Sequence, residues 1–188
     1  MDASHVADDL ETVLLSEDQI RTRVAELATE LAGDYAGRDL VLIGVLSGAA
    51  TFAVDLGRAL ETQIEVGWMA VRSYTTGVRS SGSVRLLKDL DMDIEGRDVL
   101  IVDAAIDTGL TLSWLISSLQ QRRPASIAVC ALMRKPDAKQ FDGTRTYVGF
   151  DVPAGLVVGY GLDYRGRYRN LRCAAVLAPH VYRAVKVR

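Results

Sequence analysis

Apolar residues recur at helical spacing from Glu17 to Ala36, at Ile20, Val24, Leu27 and Leu31, and the acidic start suits the positive end of a helix dipole. An amphipathic helix is predicted there. The pattern then changes to a short continuous apolar run, Leu40-Val41-Leu42-Ile43-Gly44-Val45, of the sort that strands buried on both faces show. It breaks at Leu46-Ser47-Gly48 before a new helical pattern through Leu60. The same events repeat at Asp98 to Val102, where the run opens into Asp103-Ala104-Ala105-Ile106-Asp107-Thr108-Gly109 and a helix carrying Leu112, Leu115, Ile116 and Leu119. A third buried strand, Ser126 to Met133, follows the turn signal Arg123-Pro124, and further strands are predicted at Ile64–Val71 and Thr146–Phe150. Strands alternating with helices define an α/β chain with a parallel sheet. The polar, glycine-bearing stretch from Tyr74 to Ser83 reads as a long mobile loop or hairpin tip. From Val152 onward Pro153, Gly155, Gly159, Gly161 and Gly166 predict a smaller, less regular flap on the sheet.

Composition narrows the function classes. At 188 residues the chain has room for one domain, with a core over about residues 16–150 and the flap mainly over about 151–188. Its 49% hydrophobic and 24% charged residues exclude disorder for the bulk. Lys plus Arg is 22 against Asp plus Glu 24, which argues against a nucleic-acid partner. The longest stretch free of charges, Leu40 to Val54, falls short of the roughly 20 residues of a membrane span. The first residues carry neither the basic nor the apolar region of a secretion signal, so a cytoplasmic location is expected. Cys130 and Cys173 are expected to be buried, reduced thiols. His5 and His180 have neither metal-ligand spacing nor a nucleophile motif beside them.

In an open parallel sheet, ligands bind at the carboxyl ends of the strands, where helix N-termini face the crevice. Asp103 and Asp107 fall in such a turn, followed directly by Thr108-Gly109-Leu110-Thr111 at a helix start. Hydroxyls and free amides there form an anion site suited to a phosphate monoester, although Asp107 and Thr108 are equally the residue types that merely cap a helix. The whole segment Val99 to Thr111, a hydrophobic strand with an acidic exit and a D-T-G-x-T turn, resembles the phosphoribosyl-pyrophosphate signature of the type I phosphoribosyltransferases. The resemblance extends from about Leu40 to Tyr182 and points to the hypoxanthine-guanine branch. Val45-Leu46-Ser47-Gly48-Ala49 resembles the family's pyrophosphate loop, Ser73-Tyr74 the start of its catalytic loop, and Leu87 to Asp91 the segment after it. Tyr147 to Phe150, Val157 to Tyr164 and Tyr168-Arg169-Asn170-Leu171 resemble its hood.

This resemblance implies a central parallel sheet flanked by helices, with a small hood and a flexible loop. It implies transfer of a 5-phosphoribosyl group from phosphoribosyl pyrophosphate to a purine base, hypoxanthine or guanine first, with release of pyrophosphate. Carried over, it makes Asp107 the group that handles the purine N7 proton, with Tyr74 beside it in catalysis, and makes Asp103 to Ala104 and Asp107 to Thr111, Gly109 and Leu110 included, the sugar-phosphate cradle. Leu46, Ser47, Gly48, Ser73, Tyr74, Arg169 and Lys139 would serve the pyrophosphate. Lys135 would meet the purine 6-oxo group, with Ile106, Leu156, Val157 and Asp163 around the base. Asp103 and Asp163 would hold Mg2+, and a homodimer or homotetramer would be the assembly.

Three positions depart from the family pattern. Ala104 stands where a second carboxylate is usual, Ser47 where a long polar side chain is usual, and Leu156 where an aromatic residue usually stacks on the base. If Ala104 opens space beside the sugar, a bulkier phosphorylated sugar diphosphate could be the donor, as in specialised nucleoside biosynthesis. A third reading keeps the fold as a non-catalytic nucleotide sensor or RNA-binding regulator; the retained Asp107 and the near-neutral charge argue against it.

Overall fold

The computed structural model describes residues 1–74 and 83–183, and the side chains of Ser73, Tyr74 and Ser83 lie outside the description. A 3-10 helix over Ala3–Asp9 leads into β1 (Leu10–Leu15) and α1 (Glu17–Asp34). There follow β2 (Leu40–Leu46), α2 (Ala50–Ala59), β3 (Glu65–Tyr74), β4 (Ser83–Lys88), β5 (Asp98–Ile106) and α3 (Leu110–Gln120). The chain continues through β6 (Ser126–Arg134), β7 (Arg145–Asp151), β8 (Val157–Val158), β9 (Ala174–Leu177) and α4 (Pro179–Arg183). The predicted loop over Tyr74–Ser83 falls largely outside the described residues; the strands on either side of it, β3 and β4, pair antiparallel up to Tyr74 and Ser83.

Six strands form one sheet in the order β4-β3-β2-β5-β6-β7, parallel except for β4. The continuous apolar runs have the physical cause the sequence suggests: β2, β5 and β6 lie in the middle of the sheet and are covered on both faces. One face packs Leu42, Leu100 and Leu132 against α1 and α2, through Ile20, Val24, Leu27, Leu31, Phe52 and Leu56. The other packs Ile43, Ile101 and Val129 against Leu112, Leu115 and Leu119 of α3. The start of α1 is fixed by a capping box, in which Ser16 Oγ accepts from the Gln19 amide at 3.2 Å and Gln19 Oε1 accepts from the Ser16 amide at 2.9 Å. Cys130 and Cys173 are both buried free thiols. Among the described residues no helix is long and apolar enough to cross a membrane.

Strand order reverses between β2 and β5. The chain leaves β2 toward β3 on one side and returns to β5 on the other, so the loops after β2 and β5 flank a crevice at the sheet's carboxyl edge. Above it lies a second, three-stranded sheet in the order β1-β9-β8, with a core of Val158, Leu171, Cys173 and Leu177. This hood is not confined to the C-terminal stretch, because β1 supplies one of its strands. That strand is mostly exposed and lies at a sheet edge, which explains why its apolar pattern is faint.

Candidate active site

The turn after β5 sits between two parallel neighbours and is closed by α3. Gly109 takes φ +77°, a left-handed conformation, and a Cβ there would lie 3.0 Å from Lys139 Cβ and 3.2 Å from the Phe141 ring. Glycine thus lets the chain enter α3 while Lys139 packs beside the turn. Of the two candidate caps, Asp107 makes no contact with an α3 amide among the described residues, whereas Thr108 Oγ1 accepts from the Leu110 amide at 3.4 Å; the N-cap residue itself, Gly109, has no side chain to offer. Beyond that one long contact, the amides of the first turn of α3 have no side-chain acceptor among the described residues and sit at the positive end of the helix dipole, a setting that favours an anion.

Lys135 comes off the end of β6 and is held to the turn by its own amide, which donates to the Ile106 carbonyl at 3.0 Å. Its Nζ lies 3.1 Å from Asp107 Oδ2, with the lysine side chain 21% exposed and the aspartate 69%. A pair this exposed is worth about 0–1 kcal/mol, so a ligand can displace it at little cost. Beside it opens a cavity of about 470 Å³ lined by Ile106, Lys135, Lys139, Phe141 and Thr146 among others.

Alternation along β5 sorts the remaining acidic-exit residues. The Asp103 carboxylate accepts from the Ala104 amide at 2.7 Å, and burial pushes its pKa up to about 6 against the pull of backbone amides. Ala104 is 1% exposed and packs in the cluster of Val99, Ile101, Leu112 and Val129. The space that its small side chain was expected to open beside the sugar is absent, because close-packed neighbours fill it. Ile106 is 1% exposed and belongs to the same cluster, while also lining the cavity beside Lys135. Ala105, which sequence reasoning missed, faces the other way, is half-buried, and packs against the cluster that contains Val157. Strict strand alternation was the signal that could have found it.

The hood brings the second group of residues together. Arg169 Nη2 lies 2.7 Å from Asp163 Oδ1, Arg169 Nη1 donates to the Gly161 carbonyl at 2.7 Å, and Asp163 Oδ2 accepts from the Gly166 amide at 2.7 Å. Gly161, at φ +97°, rests on the loop after β2: a Cβ there would run into the Gly48 carbonyl oxygen. A Cβ at Gly48 would in turn lie 3.3 Å from Leu162. Leu46, Ser47 and Gly48 thereby face the Asp163–Arg169 hairpin. Tyr160 ties the same hairpin to α2, its hydroxyl donating to Asp55 Oδ2 at 2.6 Å. Leu156 is half-buried and packs against the hood core with Val158 and Leu171. Ser73 and Tyr74 end β3, and their side chains lie outside the described residues.

The phosphoribosyl transferase domain family matches residues 14–165. A hypoxanthine-guanine phosphoribosyltransferase of Mycobacterium avium is 51% identical over 180 residues, 93% of this chain and 89% of that one. A crystal structure of a hypoxanthine phosphoribosyltransferase from Staphylococcus aureus superimposes with a TM-score of 0.89 at 41% identity, covering 95% of this chain and 97% of the other. A Trypanosoma cruzi hypoxanthine phosphoribosyltransferase in complex with the product IMP gives 0.84 at 41% identity, over 93% and 97%. The chain belongs to the hypoxanthine-guanine phosphoribosyltransferase family, and its sheet and hood are those of the type I phosphoribosyltransferase fold.

Proposed function

We propose that this enzyme joins a 6-oxopurine, hypoxanthine or guanine, to the phosphoribosyl group of phosphoribosyl pyrophosphate and releases pyrophosphate. The observation that carries the reading is the Asp107–Lys135 pair set beside the uncapped start of α3. A 5′-phosphate on the amides and hydroxyls of Thr108 to Thr111 holds the sugar under that pair. An incoming purine parts it: Asp107 accepts the N7 proton while the N9 lone pair forms the new bond to the anomeric carbon and the bond from that carbon to the pyrophosphate oxygen breaks, and Lys135 Nζ donates to the 6-oxo oxygen. Ala105 and Val157 supply the apolar wall beside the base, with Leu156 and the backbone of Asp163 next to it. Arg169, Lys139 and the Leu46–Gly48 loop take up the charge of the departing pyrophosphate, on the side where Ser73 and Tyr74 close β3.

Asp103 and Asp163 suit a magnesium ion by donor type, being hard carboxylate oxygens. Among the described residues no group of three or more acidic, histidine or cysteine side chains converges, so the remaining ligands of a cation there would have to be water and substrate oxygens. Magnesium bound there would neutralise the diphosphate as it leaves. Burial of Ala104 removes the reason to invoke a bulkier sugar donor.

The test is a matrix of hypoxanthine, guanine and adenine against phosphoribosyl pyrophosphate and other sugar diphosphates, read by pyrophosphate release. Adenine presents a donor where Lys135 also donates, and an unpaired polar group costs roughly 1–3 kcal/mol, so the 6-oxopurines should lead by about tenfold or more. A lead for adenine, or turnover only with another sugar diphosphate, would overturn the proposal.

A further inference from the structure

The hood hairpin that carries Asp163 and Arg169 is conformationally demanding. Tyr160, Arg165 and Tyr168 all have positive φ, at 46°, 53° and 74°, a region that side chains other than glycine's enter at a cost. Such a backbone persists only where contacts from outside over-determine it. Two such contacts are already described, Tyr160 on Asp55 and Gly161 on Gly48, and both hold the first half of the hairpin. The second half, which bears Arg169, is held from elsewhere. The Tyr168 hydroxyl donates to Asp9 Oδ2 at 2.8 Å across 159 residues of sequence, in a partly buried setting.

Asp9 is itself fixed. It ends the 3-10 helix, its carbonyl accepts from the Ala178 amide at 2.8 Å, and the next residue, Leu10, pairs with Leu177 of β9. The Tyr168 ring packs into the hood core beside Val6, Leu10 and Leu171. Asp9 and Tyr168 also lie outside the segment matched by the family, residues 14–165.

We propose that Asp9 and Tyr168 form a strap that positions Arg169 for the pyrophosphate group of the donor. Neither residue touches the reacting atoms. With Tyr168 pinned at φ +74°, the next residue leaves the turn at the angle that lets its guanidinium reach both Asp163 and the Gly161 carbonyl. Without the hydroxyl contact, the hairpin gains alternatives in which Arg169 points elsewhere. The kinetic part of this inference rests on the function proposed above; the structural part does not.

The experiment uses the full chain and four variants: Tyr168→Phe, Asp9→Ala, Asp9→Asn and the double variant Asp9→Ala/Tyr168→Phe. Tyr168→Phe and Asp9→Ala should each raise KM for phosphoribosyl pyrophosphate about tenfold, equivalent to about 1.4 kcal/mol, with kcat and the purine KM within about twofold. Asp9→Asn keeps an acceptor oxygen and should stay near wild type, while the double variant should be no worse than either single one. Hydrogen exchange of the Gly161 and Gly166 amides, which donate to the Arg169 carbonyl and to Asp163 Oδ2, should quicken in the two disrupting variants and not in Asp9→Asn. An unchanged donor KM in an active enzyme, additive effects in the double variant, or unaltered exchange would overturn the strap. A wild-type chain that transfers no phosphoribosyl group would overturn the functional reading alone, and the exchange measurement would still decide whether the strap orders the hairpin.

Discussion

The β5–α3 turn and the hood hairpin each contribute half of the site, and they are held by opposite means. The turn grows out of a strand buried on both faces and flanked by β2 and β6, and its lysine partner lies only 28 positions away along the chain. Apolar packing fixes it. The hairpin carries no regular strand or helix and, beside the packing of Tyr160, Leu162 and Tyr168 on neighbouring cores, is tied by single polar contacts to distant segments, Tyr160 to Asp55 and Tyr168 to Asp9. On the proposed function, the group that handles the proton is thus anchored to the best-packed strand of the sheet, whereas the group that grips the leaving pyrophosphate depends on contacts that one hydroxyl can release.

This contrast can be broken at several points. The largest effect is expected from Asp107→Asn, which keeps the shape of an exposed side chain but loses its basicity. The value of kcat should fall by about 100- to 10,000-fold while the melting temperature stays put. Steady-state kinetics beside a thermal melt would check it, and near-normal turnover would remove Asp107 from the chemistry.

Gly161→Ala acts on the other half. The new Cβ would press on the Gly48 carbonyl at a positive φ, a strain of about 1–3 kcal/mol that the hairpin can relieve by moving off the pyrophosphate loop. We expect the donor KM to rise about tenfold and the purine KM to hold. Equal losses for both substrates would show that the two halves are mechanically one.

The smallest effect concerns stability. Burial raises the Asp103 pKa from the ordinary 3.8 to about 6, so the folded chain holds this proton more tightly than the unfolded one. The stability that the neutral carboxyl confers is fully present below about pH 4 and is lost as pH rises toward 6. Asp103→Asn should flatten that part of the pH–melting curve relative to wild type, measured without divalent cations. Parallel curves for the two proteins would mean that the carboxyl is better solvated than its surroundings suggest.

Legibility in the sequence follows the same divide. The central strands β2, β5 and β6 announce themselves because burial on both faces leaves unbroken apolar runs, and the D-T-G-x-T turn is read because its parts are adjacent in sequence. Strands β1, β8 and β9 leave fainter traces: the first is an exposed edge, the second has two residues, and the third has four. Alternation along β5 puts Ile106 with Ala104 in one cluster and Ala105 against the other, a division that the motif by itself does not reveal. No local pattern could have paired Tyr160 with Asp55 or Tyr168 with Asp9, since contacts across more than a hundred residues leave no periodicity to read.

The pairing of β1 with β9 also sets an order of events during synthesis. Every strand of the six-stranded sheet precedes β8 and β9 in the chain, so that sheet has all its parts before the hood does. Leu10–Leu15 must wait unpaired until Ala174–Leu177 leaves the ribosome, and joining the two closes a loop that takes in almost the whole molecule. Topology therefore favours a folding order in which the β5–α3 turn is set between its neighbours first and the hood closes over it last.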